Sequence, residues 1–202
     1  EGFLGKPISS LSKNAEVVSI LEINGLKLRS FRAQSHIRKS ENFESHSHNM
    51  SKNQVAELKA AVDPHIWLDP ENAKVITQKT VQILSDFDPE NAQEFQKNGE
   101  KIIVRLNELD QQLSSEMIEI SDRTYLVLHD AYQYFESRYQ LKNAGSITLQ
   151  LEHFLGVSRL KKVQKIIKTS KVRCIFTEPQ YSQKLVKTLI KDTSVKKGIL
   201  DP

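Results

Sequence analysis

The stretch "TYLVLHDAYQYFESRYQLKNAGSITLQ", Thr124 to Gln150, decides the fold. "TYLVLHD" reads as a buried strand, "AYQYFESRYQL" as a helix and "AGSITLQ" as a second strand. The alternation continues with "VSRLKKVQKIIKTS" as a helix, "VRCIFTEP" as a strand, "SQKLVKTLIKDT" as a helix and "VKKGIL" as a last strand. Strands separated by helices pair in parallel, because a parallel partner is reached only through a crossover. In an open parallel sheet ligands sit beyond the carboxyl ends of the strands. His129-Asp130, Glu178-Pro179 and Asp201-Pro202 all stand at such ends, so three strands deliver polar residues to one edge.

Upstream of this alternation, "DFDPEN" carries a helix start, with Asp88 as cap and Pro89 at the first position. Phe95, Ile102, Leu106, Leu109, Leu113, Met117 and Ile120 then recur at helical spacing for about 32 residues, or roughly 48 Å. A single stripe on so long a helix suits a coiled coil or one helix lying across two lobes. The preceding segment, "DPHIWLDPENA", repeats the start signal at Asp69-Pro70, with Ile76, Thr80, Ile83, Leu84 and Phe87 as its apolar positions. Pro64 and Pro70 bracket His65-Ile66-Trp67-Leu68, which is expected to be extended, with His65 and the single tryptophan on one face. Such a segment holds an imidazole at a fixed point before a helix. A metal ligand is held this way, and so is an ordinary core histidine.

The 202 residues, 38% of them hydrophobic, are enough for one large domain or two small ones. No apolar run reaches the length of a membrane span. The opening "EGFLGKPISSLSKNAEVV" has neither a basic region nor an apolar one of the signal-peptide kind, so no signal peptide is expected within it. "KPISSLSKNA" reads as a short helix, "EVVSIL" and "LKLRSF" as strands. From Gln34 to Asn53 the periodicity stops and Ser, Asn, Lys and His take over, which reads as a loop. His36, His46 and His48 lie in it and are candidates for weak metal capture.

The net charge of +4 hides an asymmetry: from Arg159 onward 12 Lys or Arg stand against only Glu178, Asp192 and Asp201. The lysines fall at helical spacing opposite apolar residues, as on a solvated helix face. They have no interleaved aromatics and match no nucleic-acid-binding motif, so no nucleic-acid partner is expected. The lone Cys174 excludes a disulfide framework or a Cys-rich zinc module in this chain and reads as a buried strand residue.

Enzyme chemistry finds little support. The chain has no GxSxG, Walker loop, GxGxxG or HExxH. Adjacent His129 and Asp130 on a strand point to opposite faces and cannot address one substrate atom together unless the backbone turns between them. Metal binding fares better. Neutral imidazole is the commonest zinc ligand, and a site usually takes four ligands. His65 and His129 supply two, Asp201 could add an oxygen, and Glu178 could orient a ring N–H from outside the ligand set. The two histidines are 64 residues apart, so no local spacing implies a shared ion.

Taken in order, "DPHIWLDPENA", "LHDAYQYFESRYQL", "CIFTEPQYS" and "SVKKGILDP" resemble the high-affinity zinc-uptake substrate-binding proteins of bacterial ABC transporters, and the similarity reaches the opening "FLGKPISSL". The resemblance implies an α/β fold of two parallel-sheet lobes joined by one long rigid linking helix, which replaces the coiled-coil reading. It implies residues 1–88 as the remnant of an N-terminal lobe, 89–120 as the linking helix and 121–202 as an incomplete C-terminal lobe. By the same resemblance, His65 and His129 match metal ligands from the two lobes, and Asp201 matches an aspartate that coordinates in manganese- and iron-binding relatives. Residues 34–53 sit where members carry a His-rich loop, and Cys174 matches a cysteine that some members pair with one near the C-terminus. Members begin with a signal peptide and a strand and helix that bring a third histidine. A fragment, or a split or degraded gene, is expected on that ground.

The implied function is capture of Zn²⁺ outside the inner membrane, in the periplasm or its extracytoplasmic equivalent, by a monomer that hands the ion to a membrane permease. A manganese or iron carrier of the same family, a helical interaction module with a basic tail, and a non-functional remnant stay open as alternatives.

Overall fold

The computed structural model describes residues 7, 8, 10, 15–32, 62–147, 157–181 and 184–202. Both Asp-Pro start signals act as expected, because capping is local. Asp69 Oδ1 accepts a hydrogen bond from the Glu71 backbone N–H at 3.0 Å, Pro70 takes the first position, and α1 runs over Pro70–Phe87. Asp88 caps a single 3-10 turn, Pro89–Asn91, and α2 follows over Ala92–Ile118. The long helix is therefore 27 residues of α-helix behind that turn.

The two helices run antiparallel, with Lys74 Nζ reaching Asn107 Oδ1 at 2.8 Å. Where they meet, a Cβ on Gly99 would stand 2.4 Å from a Val81 methyl, so only glycine allows this approach. The inward positions of α2 include Gly99, Ile103, Leu106, Asp110 and Leu113, whereas Ile102 and Leu109 are exposed. On α1, Thr80, Leu84 and Phe87 are likewise exposed. Each apolar stripe is thus split: Ile76, Ile83, Phe95, Leu106, Leu113 and Met117 are part-buried, while the remaining members lie exposed at its edge.

Beyond α2 come β1 (Thr124–Val127), α3 (Gln133–Tyr139), β2 (Lys142–Ser146), α4 (Val157–Thr169), β3 (Cys174–Thr177), α5 (Lys184–Ile190) and β4 (Lys196–Ile199). All three strand pairings are parallel, in the order β2-β1-β3-β4. Alternation sorts the side chains. Leu126 and Ile175 join Val163 and Ile167 of α4 and Val186 and Leu189 of α5 in the main core. Tyr125, Val127 and Phe176 face the other way, toward Tyr132 and Leu68. The chain moves from β1 to one side, then returns past it to β3, so strand order reverses between β1 and β3. A crevice opens at such a reversal.

Three expectations need correction. Residues 66–68 form a 3-10 turn, Ile66–Leu68, and not an extended run. Pro64 restricts its neighbours but does not dictate that turn, which Asn72 holds by donating to the Ile66 carbonyl at 3.1 Å. "EVVSIL" is no strand: it carries the 3-10 turn Ile20–Glu22 and leaves Val17 and Ile20 exposed. "LKLRSF" contributes only an isolated antiparallel bridge, Ser30 to Val62. Among the described residues the parallel sheet therefore belongs wholly to the second half of the chain. The 34–53 loop with His36, His46 and His48 lies outside the described residues, as do residues 148–156, the end of the expected strand "AGSITLQ" among them. No helix among the described residues is long and apolar enough to cross a membrane.

Candidate metal centre

His65 stands at the head of the 3-10 turn, fixed from three sides. Ile66 is buried behind it. Buried Asn72 donates to the Ile66 and Lys27 carbonyls and accepts from the Lys27 N–H at 2.8 Å, tying the turn to the N-terminal segment. Asp63, only 1% exposed, accepts at Oδ1 from the His65 backbone N–H at 3.0 Å and lies 2.7 Å from the ring Nδ1. Its other oxygen accepts from Gln133 Nε2 at 2.8 Å. Burial works against the Asp63 charge, but the bonds from His65 and Gln133 outweigh it and hold the carboxyl below its ordinary value.

His129 enters from the sheet. Leu128 still donates to the Phe176 carbonyl at 2.8 Å, so His129 is delivered one residue past the last backbone contact of β1, at the reversal of strand order. Its ring centre lies 5.1 Å from that of His65, edge to face. Trp67, half exposed, stands 5.5 Å from the His65 ring. Burial, and then the neighbouring His65, push the His129 imidazole below its usual value, toward the neutral, metal-binding form.

Behind His129 lies Glu178 at the end of β3, with Oε1 3.4 Å from Nδ1. Glu178 is 2% exposed; Oε2 accepts from Gln180, and Oε1 has no hydrogen-bond partner among the described residues. Burial and then the charge of Asp201 push this carboxyl up. Asp201 follows β4 and is exposed. The Tyr132 hydroxyl is buried without a partner among the described residues, its pKa raised by burial and by Glu178 and Asp201. Among the described residues no group of three or more His, Cys, Asp or Glu is arranged to hold a metal. Cys174 is a free, half-buried thiol.

The structure thus gathers His65, His129 and Glu178 and sets Asp201 nearby on the same edge. Asp130 turns away to pair with Arg32. Sequence reasoning missed Asp63, Asn72, Gln133 and Arg138. For Asp63 a signal existed: an Asp side chain commonly bonds the backbone two residues on, and "DPH" has that spacing. Arg138 pairs with Asp69, Glu71 and Asp110, joining α3 to the start of α1 and the middle of α2.

Both rings turn Nδ1 toward a buried carboxylate, which favours a proton there and leaves Nε2 as the donor to a metal. Two imidazoles sharing one tetrahedral ion at about 2.0–2.1 Å have ring centres roughly 5 Å apart. The observed spacing fits such sharing.

The family described as zinc-uptake complex component A, periplasmic, matches residues 1–202. The high-affinity zinc uptake system protein ZnuA of Brucella abortus (strain 2308) is 35% identical over 225 residues, covering 100% of this chain and 66% of the relative. ZnuA of Yersinia pestis is 26% identical over 100% of this chain and 64% of its own length. The chain therefore spans about two thirds of these relatives. Among solved structures, Streptococcus pneumoniae AdcAII superposes with a TM-score of 0.73 at 27% identity, covering 100% of this chain and 66% of that one. A Zn(II)-bound AdcAII variant gives 0.68 at 25% identity, covering 96% and 66%.

Proposed function

The chain belongs to the family of periplasmic zinc-uptake complex component A, and on that premise we propose that it binds Zn²⁺ between the His65 turn and the His129 edge of the sheet. The ion is cargo, passed to an ABC-transporter permease outside the inner membrane by a monomeric, non-enzymatic carrier. The observation that supports this most is the His65–His129 pair, 5.1 Å between ring centres, contributed by two separate elements and backed by Asp63 and Glu178. Borderline nitrogen donors suit zinc, whereas manganese prefers carboxylates. Asp201 in this reading adds an oxygen or acts from outside the ligand set. In this reading residues 1–88 and 121–202 are the two lobes and 89–120 joins them, with His36, His46 and His48 as a separate, weaker capture site.

The test is a zinc titration against a chromophoric chelator for the full chain and for the His65→Ala/His129→Ala double variant, with Mn²⁺ in parallel. One tight site that the double variant loses, and that manganese fills poorly, supports the proposal. Unchanged binding in the variant overturns it and moves the site to the loop histidines.

A further inference from the structure

We propose that Gln133 is the positioning residue that sets His65 against His129 before any metal arrives. The inference rests on reading those two histidines as the metal-binding pair and deepens it by naming what holds them apart at the right distance. Helix α3 opens at Gln133, four residues after His129, so whatever Gln133 grips is held relative to that imidazole. Its side chain, buried with the residue 7% exposed, donates from Nε2 to Asp63 Oδ2 at 2.8 Å and to the Ser30 carbonyl at 3.1 Å. Asp63 has no other side-chain anchor among the described residues: Oδ1 serves the ring and backbone N–H of His65, and Oδ2 serves Gln133. A continuous strut therefore runs from His129 through α3, Gln133 and Asp63 to the His65 ring. No part of it passes through a metal.

Docking of the two regions does not depend on that strut. The Tyr134 hydroxyl donates to the Asp63 carbonyl at 2.9 Å and accepts from the Arg29 N–H at 2.9 Å, while Arg138 grips Asp69. Loss of the Gln133 amide should then leave the segment in place while releasing the Ser30 carbonyl and Asp63 Oδ2 from α3. A carboxylate held only through Oδ1 by the His65 backbone N–H is less firmly aimed at the ring, so it fixes the proton on His65 Nδ1 less well and Nε2 is less reserved for the ion.

The experiment compares Gln133→Leu with Tyr125→Phe in the full chain. The second change removes the Tyr125 hydrogen bond to Glu136 of α3 at 2.9 Å without touching Asp63, and so controls for general loosening of the helix. Two readouts are taken: zinc Kd by chelator competition, and the His65 ring tautomer in the metal-free protein by ¹⁵N imidazole NMR. Gln133→Leu should weaken zinc about 10- to 100-fold and replace the single Nδ1–H tautomer with a mixture, while Tyr125→Phe leaves both unchanged. The proposal is overturned by an unchanged tautomer in Gln133→Leu, or by equal loss of zinc in the two variants. If zinc binds elsewhere on the chain, the functional reading fails, and the tautomer alone decides the role of Gln133.

Discussion

The supports of the two histidines are built differently. Asp63 reaches the His65 ring at 2.7 Å with every oxygen engaged, and its carboxyl is held below the ordinary range. Glu178 stands 3.4 Å from the His129 ring, with Oε1 buried and unpartnered among the described residues and its carboxyl pushed up. A buried polar atom without a partner costs about 1–3 kcal/mol. The His65 side is thus complete as it stands, while the His129 side carries an unmet demand that a proton or a tighter His129 contact would satisfy. A cation on Nε2 supplies the second, because it makes the ring N–H a stronger donor toward Glu178.

The largest expected effects break the pair itself. His65→Ala and His129→Ala should each weaken zinc by at least about 100-fold, since a four-ligand site that loses an imidazole must refill it with water. Their effects on folding should differ. His65→Ala strips the buried Asp63 carboxylate of its main partner and should cost about 1–3 kcal/mol in urea unfolding of the metal-free chain. His129→Ala removes only the long contact to Glu178 and should cost less. Equal losses, or the reverse order, would show that the two supports are alike after all.

Next come the carboxylates. Asp63→Asn should weaken zinc about 10- to 100-fold and destabilise the metal-free fold, because the amide sets a second N–H donor against His65 or Gln133. Glu178→Gln should act in the opposite sense on stability, raising that of the metal-free chain by about 1 kcal/mol as an unpaired buried charge becomes a neutral amide. Chelator competition and urea midpoints on both variants check the pair. A Glu178→Gln chain that unfolds more easily than wild type would sink the idea of an unmet demand.

Much of the fold behind this asymmetry could be read in the residues, and the unread part has a common cause. The helix starts at Asp69-Pro70 and Asp88-Pro89 were legible because a cap bonds within three residues. The parallel sheet and the placement of His129, Glu178 and Asp201 on one edge followed from strand–helix alternation. The turn at Ile66–Leu68 was misread, since it depends on Asn72, and Asn72 is itself held by Lys27, 45 residues away. Gln133 could not be found at all. Its partner Asp63 is 70 residues distant, and nothing in "AYQYF" distinguishes a glutamine that spans two regions from one that faces water. Val17 and Ile20 show the converse: a β-branched run reads as a strand, yet pairing requires a neighbour that these described residues do not have.

The smallest effect uses pH to separate the two sides. Glu178 has a folded pKa raised above 4.5, so the native state holds its proton more tightly than the unfolded chain does. Its charge therefore costs stability at neutral pH, and that cost disappears as pH falls through the raised value. Asp110 is the opposite case: hydrogen bonds from Arg138 hold it below 3.8, so its contribution is fully present above 3.8 and is lost as pH falls through the lower folded value. His129, with its lowered pKa, also loses stability on acidification, so the total curve mixes signs. Differences between variants isolate each group. The gain from Glu178→Gln should shrink as pH falls and be absent once Glu178 itself is protonated in both the folded and unfolded chain. Arg138→Gln, which frees α3 from Asp69, Glu71 and Asp110, should cost about 1 kcal/mol at pH 7, with the loss fading as pH falls below 4.5 for Glu71 and below 3.8 for Asp110. Urea midpoints of the metal-free variants across pH 3 to 7 test both. If the Glu178→Gln gain persisted to the acid end, relief of a buried charge could not be its source. The contrast between the two supports would then reduce to packing.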